Sequence, residues 1–352
     1  MKINPNKLRK HVLDMVYEKQ SGHIGGSFSL AEIIAYLYEN FELIEPNKDK
    51  LILSKGHAVP ILYAVLHELG HIESLENFRE VNSPLQGHPD KDRLPLMHAT
   101  TGALGQGLSI AIGHALACKA KNLENNIFCI LGDGEVQEGQ IWEGFMLAPT
   151  YELNNLTCFI DYNKAQNDGY VTDILDMGSL SDKIKSFGWN VITINGHDPL
   201  EIHAAANDWS VYPFERGGNK PTCIILDTTK GHGVSFMTHP EWHAKAPSDE
   251  EYKQALKELG YELGEYLEFS RHPEHGTAHD TILYKLYNDL AQRDVDPARA
   301  IYKLQDYMVK SNPDADPDDP STGAIKEYQE DRQKLSDDMF WVFTNTSRTQ
   351  GY

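Results

Sequence analysis

The spacing of hydrophobic and polar residues changes along the chain, and this change predicts a succession of helices and strands. Between residues 7 and 40, apolar residues recur at helical spacing in two segments, which a glycine-rich stretch at 21–29 separates. From about residue 103 the pattern becomes regular. It predicts helices over 103–121, up to about 147, over about 173–187 and over 199–209.

Short, continuously apolar runs alternate with these helices. They are IFCILGDG (127–134), LTCFIDYN (156–163), NVITI (190–194) and TCIILDT (222–228). Buried strands between helices are typical of a parallel sheet with helices on both faces. We therefore predict an α/β doubly wound, mostly parallel sheet over residues 1–265. An acidic, partly helical or irregular C-terminal extension of unknown role is expected over 266–352.

Composition and charge narrow the possible functions. The 352 residues include 52 acidic and 32 basic ones, and the net charge of -20 disfavours binding to nucleic acids or anionic membranes. No stretch approaches 18 apolar residues, so no membrane span is expected. The cysteines form no CxxC pair, which favours a reducing, cytoplasmic location.

Polar residues that suit a metal and a phosphate follow two neighbouring strands. Asp133, within Gly132-Asp133-Gly134, closes one apolar run, and Asn163 closes the next. Ligands of open α/β sheets lie beyond the carboxyl ends of the strands, so these side chains are expected at one site. Carboxylate and amide oxygens suit Mg²⁺, and glycine lets the backbone approach a phosphate closely. Alone, the GDG motif equally suits a turn whose aspartate caps the next helix.

Two further groups of residues are candidates for the same chemistry. Small residues at 99–107 open the predicted helix at 103 and offer N–H groups to an anion. His23, His57, His88 and His243 lie in glycine-rich or polar loops, where a histidine can exchange protons near neutral pH. A zinc site is disfavoured, because no HExxH spacing and no cysteine partner accompanies them.

Together these motifs resemble the N-terminal, diphosphate-binding half of transketolases, and they are most similar to the small N-terminal subunits of split transketolases. The resemblance covers residues 7–260, and its motifs stand in the family's order. They are SGHIGGSFS, SKGHA, GHP, ATTGALGQGL, GDGEVQEGQIWEG, DYNKAQNDG, FGWNVITINGHD and TTKGHGVSFM with PEWHAKAP.

The resemblance implies thiamine diphosphate and Mg²⁺ as cofactors, with particular residues at each. Mg²⁺ would be held by Asp133, Asn163 and the backbone carbonyl of Ala165. Residues implied to contact or line the cofactor are His57, Gly102, Ala103, Leu104, Gly134, Asn163 and His243, and Glu138 would link two active sites across a dimer. His23, His88 and His243 would act on the sugar donor near the reacting carbons.

The implied reaction is the transfer of a two-carbon ketol unit from a ketose donor to an aldose acceptor, through an enamine on thiamine diphosphate. The substrates would be sugars or sugar phosphates. Because the pyrimidine-binding half of a full transketolase has no counterpart here, the family implies that a complementary C-terminal subunit is needed. The two chains would form a two-plus-two heterotetramer.

Two alternatives stay open at this stage. One is a related carboligase that uses pyruvate, such as a 1-deoxyxylulose-phosphate synthase-like enzyme, although the sugar-facing histidines favour a hydroxylated ketose. The other is a non-catalytic binding or regulatory protein, which the retained Asp133 and Asn163 disfavour.

Overall fold

The computed structural model describes residues 2–207 and 218–261. The chain divides into two units, residues 1–261 and 262–352. The predicted extension over 266–352 lies outside the described residues, and so do the last residues of the helix predicted to end at 209.

Five strands form one entirely parallel sheet in the order β1-β2-β3-β5-β4. Every strand except β1 matches an apolar run of the sequence. The three central strands, β2, β3 and β5, are almost wholly buried. The strands are β1 Lys50–Leu53, β2 Ile127–Gly132, β3 Leu156–Tyr162, β4 Asn190–Asn195 and β5 Thr222–Asp227.

Helices cover both faces of this sheet, which confirms the predicted fold class. Helices α5, α6 and α8 pack with the buried residues of one face. On the other face, the ring of Phe128 in β2 contacts Phe41, which follows α3, and α3 contacts α9. The helices are α1 Pro5–Lys19, α2 Gly25–Phe28, α3 Ala31–Asn40, α4 Pro60–Glu68, α5 Gln106–Ala120, α6 Gly139–Thr150, α7 Val171–Leu175, α8 Leu180–Ser186, α9 Pro199–Asn207 and α10 Asp249–Glu258.

The structure contains α4 and α10, which the sequence analysis did not predict, and it differs from the prediction at three further elements. Strand β1 was not predicted, because it is only four residues long and begins with a lysine; it pairs with β2 at the edge of the sheet. The helix expected at 103 begins at Gln106, since Gly105 before it has a left-handed φ of 85°. The helix expected over 173–187 is two helices, because Gly178 is left-handed and the Ser179 side chain caps α8.

The sheet register brings the ends of β2 and β3 together. Gly132 pairs with Asp161, and the Asp133 N–H donates to the Asp161 carbonyl at 3.3 Å. Asp133 and the 163–165 loop therefore meet beyond the same edge of the sheet. Among the described residues, no helix combines the length and apolar character that crossing a bilayer requires.

Candidate active site

Asp133 is a buried carboxylate at the carboxyl end of β2, with 3% of its surface exposed. Its Oδ1 accepts from the Gly134 N–H at 2.8 Å and its Oδ2 from the Lys164 N–H at 2.5 Å. Burial, and then the nearby Asp161 carboxylate, raise the pKa of Asp133 to about 6. A cation at Asp133 would therefore relieve an unfavourable buried charge.

Asn163 and Ala165 share the loop that contacts Asp133. The Asn163 side chain donates from Nδ2 to Asp161 Oδ2 at 3.0 Å, so its Oδ1 faces the loop, where it accepts from the Ala165 N–H at 3.2 Å. The Ala165 carbonyl accepts from Lys230 Nζ at 2.8 Å. We call Asp133, Asn163 and the Ala165 carbonyl the oxygen set, and the structure places all three around residues 163–165.

A fully buried carboxylate, Asp161, lies beneath the oxygen set. It accepts from Lys55 Nζ at 2.5 Å and Ser29 Oγ at 2.7 Å, as well as from Thr228 Oγ1 and Asn163 Nδ2. Burial acts to raise the pKa of Asp161, but the Lys55 ammonium and these hydrogen bonds outweigh burial and lower it. We call Asp161 with these four partners the carboxylate network. The sequence analysis missed Asp161 and Lys55, although both stand inside quoted motifs, DYNKAQNDG and SKGHA.

Lys230 is a second buried cation that the sequence analysis missed, and it connects two parts of the site. Its Nζ contacts His243 Nδ1 at 3.3 Å as well as the Ala165 carbonyl. Burial, followed by the charge of Lys55, lowers the pKa of Lys230 to about 8. Two ammonium groups with only 1% residual exposure each therefore stand next to the oxygen set, where a diphosphate would be attracted.

Four histidines from four separate loops gather at the mouth of the site. The His57 ring lies 4.8 Å from that of His243 and 5.2 Å from that of His23, centroid to centroid. His23 lies 5.3 Å from His243 and 6.2 Å from His88. We call these four residues the histidine cluster, and the structure thus brings together all four loop histidines that the sequence singled out.

The environment keeps the histidine cluster neutral at physiological pH. Burial is the largest cause throughout. It is followed at His23 by the repulsion that a protonated His23 and His88 would exert on each other, at His57 by the charge of Lys55 and at His243 by the charge of Lys230. The pKa falls to about 4 at His23 and about 3 at His243, and well below its usual range at His57. Neutral imidazoles both donate and accept hydrogen bonds, so the cluster suits sugar hydroxyls better than it suits anions.

Two buried polar atoms at this site have no hydrogen-bond partner among the described residues. They are His23 Nδ1, in the histidine cluster, and Gln166 Oε1. The Gln166 side chain lies against Gly134, where an added Cβ would come within 2.7 Å of its Oε1. Unpaired buried polar atoms are uncommon, and these two indicate a place prepared for a polar ligand.

The segment 102–104 approaches the histidine cluster by its backbone. Gly102 has a φ of 139°, and an added Cβ would lie 2.8 Å from the His88 ring, so only glycine fits. Ala103 and Leu104 are exposed turn residues rather than the first helical turn. The Gly105 N–H donates to Glu135 Oε1 at 2.9 Å, so a carboxylate of the chain itself uses one of the N–H groups that we expected a ligand to bind.

Glu138 is exposed at the start of α6, beside Gly105. A contact between two active sites lies beyond a single chain, so its linking role stays a prediction.

A second group of possible metal ligands, Glu32, His197 and His232, lies within ligand distance of one another. Their atoms are largely engaged already. Both Glu32 oxygens accept from Arg9 Nη2 at 2.7 Å, and His197 contacts Glu32 through Nδ1 and the Thr229 N–H through Nε2. The His232 ring stacks on His197 at 3.5 Å. These three side chains, of which only Glu32 is fully buried, therefore form a structural network.

Comparison with known proteins identifies the domain that carries this site. Residues 2–281 match the family model for the transketolase thiamine diphosphate binding domain. The chain is 41% identical over 263 residues to the 6-deoxy-6-sulfo-D-fructose transketolase subunit SqwG of Clostridium sp. (strain MSTE9), a match that covers 72% of this chain and 94% of that protein. It is 34% identical over 268 residues to an apulose-4-phosphate transketolase subunit of Phocaeicola vulgatus, covering 74% and 93%.

Solved structures agree with this match. The transketolase from Campylobacter jejuni superposes with a TM-score of 0.67 at 32% identity, over 73% of this chain but only 42% of its own. The chain thus spans almost the whole length of relatives named as subunits and less than half of that transketolase. It belongs to the transketolase family, as an N-terminal subunit with the family's thiamine diphosphate-binding domain.

Proposed function

We propose that this chain is the diphosphate- and Mg²⁺-binding subunit of a two-chain transketolase that transfers a two-carbon ketol unit from a ketose to an aldose. The observation that carries the proposal is that one residue, Lys230, contacts both the oxygen set and the histidine cluster. Lys230 contacts both the Ala165 carbonyl of the oxygen set and His243 of the histidine cluster. A metal-anchored diphosphate and a neutral, proton-exchanging mouth would thus share one site.

The donor set fits Mg²⁺. Asp133, Asn163 and the Ala165 carbonyl supply hard oxygen ligands, and Mg²⁺ commonly takes its remaining ligands from phosphate and water. Burial raises the pKa of Asp133 to about 6, so a cation bound at this carboxylate would offset the cost of its buried charge. Lys230, whose ammonium contacts the Ala165 carbonyl, would hold the diphosphate by its charge.

Thiamine diphosphate, when bound, supplies the carbon nucleophile that breaks and forms the carbon–carbon bond. The chain's own residues position the substrate and move protons. A neutral His23 with an unpaired Nδ1 can bind a substrate hydroxyl, and His243 can take or return a proton at another. His57, the most buried ring of the cluster, would line the cofactor with Gly102, Ala103 and Leu104, and Gly134 would contact the diphosphate.

A partner chain would complete the site. The relatives that this chain matches over nearly their full length are named as subunits, so we propose a complementary subunit that supplies the pyrimidine-binding half. Two copies of each subunit would form the assembly, with Glu138 near the contact between the two copies of this chain. The four cysteines are unpaired, and we expect the complex in the cytoplasm.

The substrates are proposed to be sugars with an anionic group. One relative is named for a sulfonated sugar and another for a phosphorylated one. A sugar with a reacting hydroxylated end and a distant anionic end fits a site in which neutral histidines surround the cofactor.

Reconstitution tests this proposal. The purified chain and its candidate partner are mixed with thiamine diphosphate and Mg²⁺, and donor cleavage is followed by trapping the two-carbon unit with an oxidant. Turnover that needs both chains and both cofactors is expected with a ketose donor. Turnover with pyruvate alone would instead indicate the carboligase class. A complex that shows no Mg²⁺-dependent affinity for thiamine diphosphate would contradict the proposal.

A further inference from the structure

An arginine at the mouth of the site has no acidic partner. The long segment between α4 and α5 carries Arg79, which is exposed. Its guanidinium makes no hydrogen bond or ion pair with any residue that the structure describes. The other two arginines among the described residues each have an acidic partner: Arg9 pairs with Glu32 and Arg93 with Asp90. In a chain with 52 acidic residues against 32 basic ones, an unpaired guanidinium beside the histidine cluster needs an explanation.

The backbone holds this guanidinium in place. Arg79 adopts a left-handed φ of 57°, and its N–H donates to the Leu85 carbonyl at 2.7 Å. The resulting loop is anchored by the buried Tyr63, whose hydroxyl donates to the Gln86 carbonyl at 2.9 Å. A left-handed non-glycine residue costs about 1–2 kcal/mol, so the loop maintains this arrangement against a local penalty.

Gly87 brings the guanidinium next to the histidine cluster. A Cβ at Gly87 would lie 2.7 Å from Arg79 Nη1, so the absence of a side chain lets the guanidinium lie directly on the backbone before His88. Its charge reaches both nearby rings. After burial, Arg79 is the next cause that lowers the pKa of His88, and it also lowers that of His23. Arg79 therefore stands at the edge of the space where the substrate would meet the cluster.

We propose that Arg79 binds the anionic end of the sugar substrate through a tetrahedral oxyanion, either phosphate or sulfonate. This inference rests on the proposed function. A guanidinium presents a planar fork of donors that matches two oxygens of such a group. It also offsets the general repulsion that a chain of net charge -20 exerts on an anionic substrate.

Paired donors test the proposal in the reconstituted complex. The value of kcat/KM is measured for D-xylulose 5-phosphate, for 6-deoxy-6-sulfo-D-fructose and for unsubstituted D-xylulose. Arg79→Ala should lower kcat/KM about 10- to 100-fold for the two anionic donors and leave the neutral donor unchanged, because only anionic donors lose a charge-assisted hydrogen bond. A loss with one anionic donor alone would identify which oxyanion the arginine binds. Arg93→Ala is the matched control and should change none of these values.

A binding measurement separates this proposal from the proposed function. Phenylglyoxal modification of Arg79 and Arg93 is followed by peptide mapping with and without each anionic sugar. Protection of Arg79 alone would support the inference even in a complex without turnover. Equal kinetic losses with neutral and anionic donors, no protection of Arg79 by either sugar, or weaker association of the two subunits in Arg79→Ala would each overturn it.

Discussion

At the carboxyl edge of the sheet, the Asp161 carboxylate is surrounded by four donors of its own chain, whereas the neighbouring histidine cluster makes few hydrogen bonds of its own. Its rings contact one another, and His23 Nδ1 is buried without a partner among the described residues. The carboxylate network is complete without a ligand, and the histidine cluster is not. The difference supports the proposal that the first maintains the fold around the oxygen set and that the second binds substrate.

The largest effect expected concerns Asp133, which belongs to neither group. Asp133→Ala should abolish turnover and lower the affinity for thiamine diphosphate with Mg²⁺ at least about 100-fold, because it removes the proposed anionic metal ligand. The free energy of unfolding should stay the same or rise, since a buried carboxylate with an unfavourable charge is lost. Calorimetric titration and urea unfolding measure the two quantities.

Asp227→Ala is the control for Asp133→Ala. Asp227 also ends a strand at this edge, but it is exposed and pairs with Lys164. Its loss should leave cofactor affinity unchanged. Ordinary Mg²⁺-dependent turnover in Asp133→Ala would remove Asp133 from the oxygen set.

His243→Ala tests whether the histidine cluster acts on substrate. Turnover should fall about 10²- to 10⁴-fold, the range for losing a general acid or base, while cofactor affinity changes much less. His239→Ala, which removes an exposed histidine beside Tyr170, should have little effect. Equal losses of turnover and cofactor affinity in His243→Ala would indicate a binding role instead.

The free energy of unfolding should depend more on the carboxylate network than on the histidine cluster, whereas turnover should depend more on the histidine cluster. Asp161→Ala leaves the Lys55 ammonium, only 1% exposed, without its counter-charge, and should lower the free energy of unfolding by about 3–5 kcal/mol. His23→Ala should cost less than about 1 kcal/mol, because no hydrogen bond is lost at Nδ1. Urea unfolding of the ligand-free chain measures both.

Should Asp161→Ala fail to fold, Asp161→Asn and the double variant Lys55→Met/Asp161→Ala still test the assignment. The double variant should recover part of the loss, because neither buried charge is then left alone. A cost at His23 equal to that at Asp161 would contradict the comparison.

The sequence predicted what depends on local pattern. The alternation of apolar runs and helices predicted the parallel sheet. The positions of Asp133 and Asn163 at the ends of β2 and β3 predicted that the two residues lie at one edge of that sheet, while their role stays a prediction. It missed Lys55 and Lys230 because their importance comes from contacts with residues distant in the chain, such as Asp161 and Ala165. It placed the start of α5 too early for a local reason that spacing does not reveal, the left-handed Gly105.

The smallest expected effect is the change in the free energy of unfolding at acidic pH. His23 and His243, with pKa values of about 4 and 3, stay neutral in the folded chain where the unfolded chain, near 6.5, binds protons. The free energy of unfolding should therefore fall as the pH drops from 6.5 to about 4, by roughly 1 kcal/mol per ring at pH 5 after allowance for solvent screening. Asp133 has the opposite sign, since its raised pKa of about 6 adds stability as the pH falls toward 4.

Urea unfolding of the ligand-free chain at pH 7 and pH 5 measures this slope. The double variant His23→Asn/His243→Asn should flatten it, because two groups that protonate only on unfolding are removed, whereas His71→Asn, at an exposed position, should not. Some dependence of the free energy of unfolding on pH should remain in the double variant, because burial also lowers the pKa values of His98 and His232 to about 4. An unchanged slope in the double variant would mean that the two rings are already protonated near pH 6, and the description of a neutral histidine cluster would then be wrong.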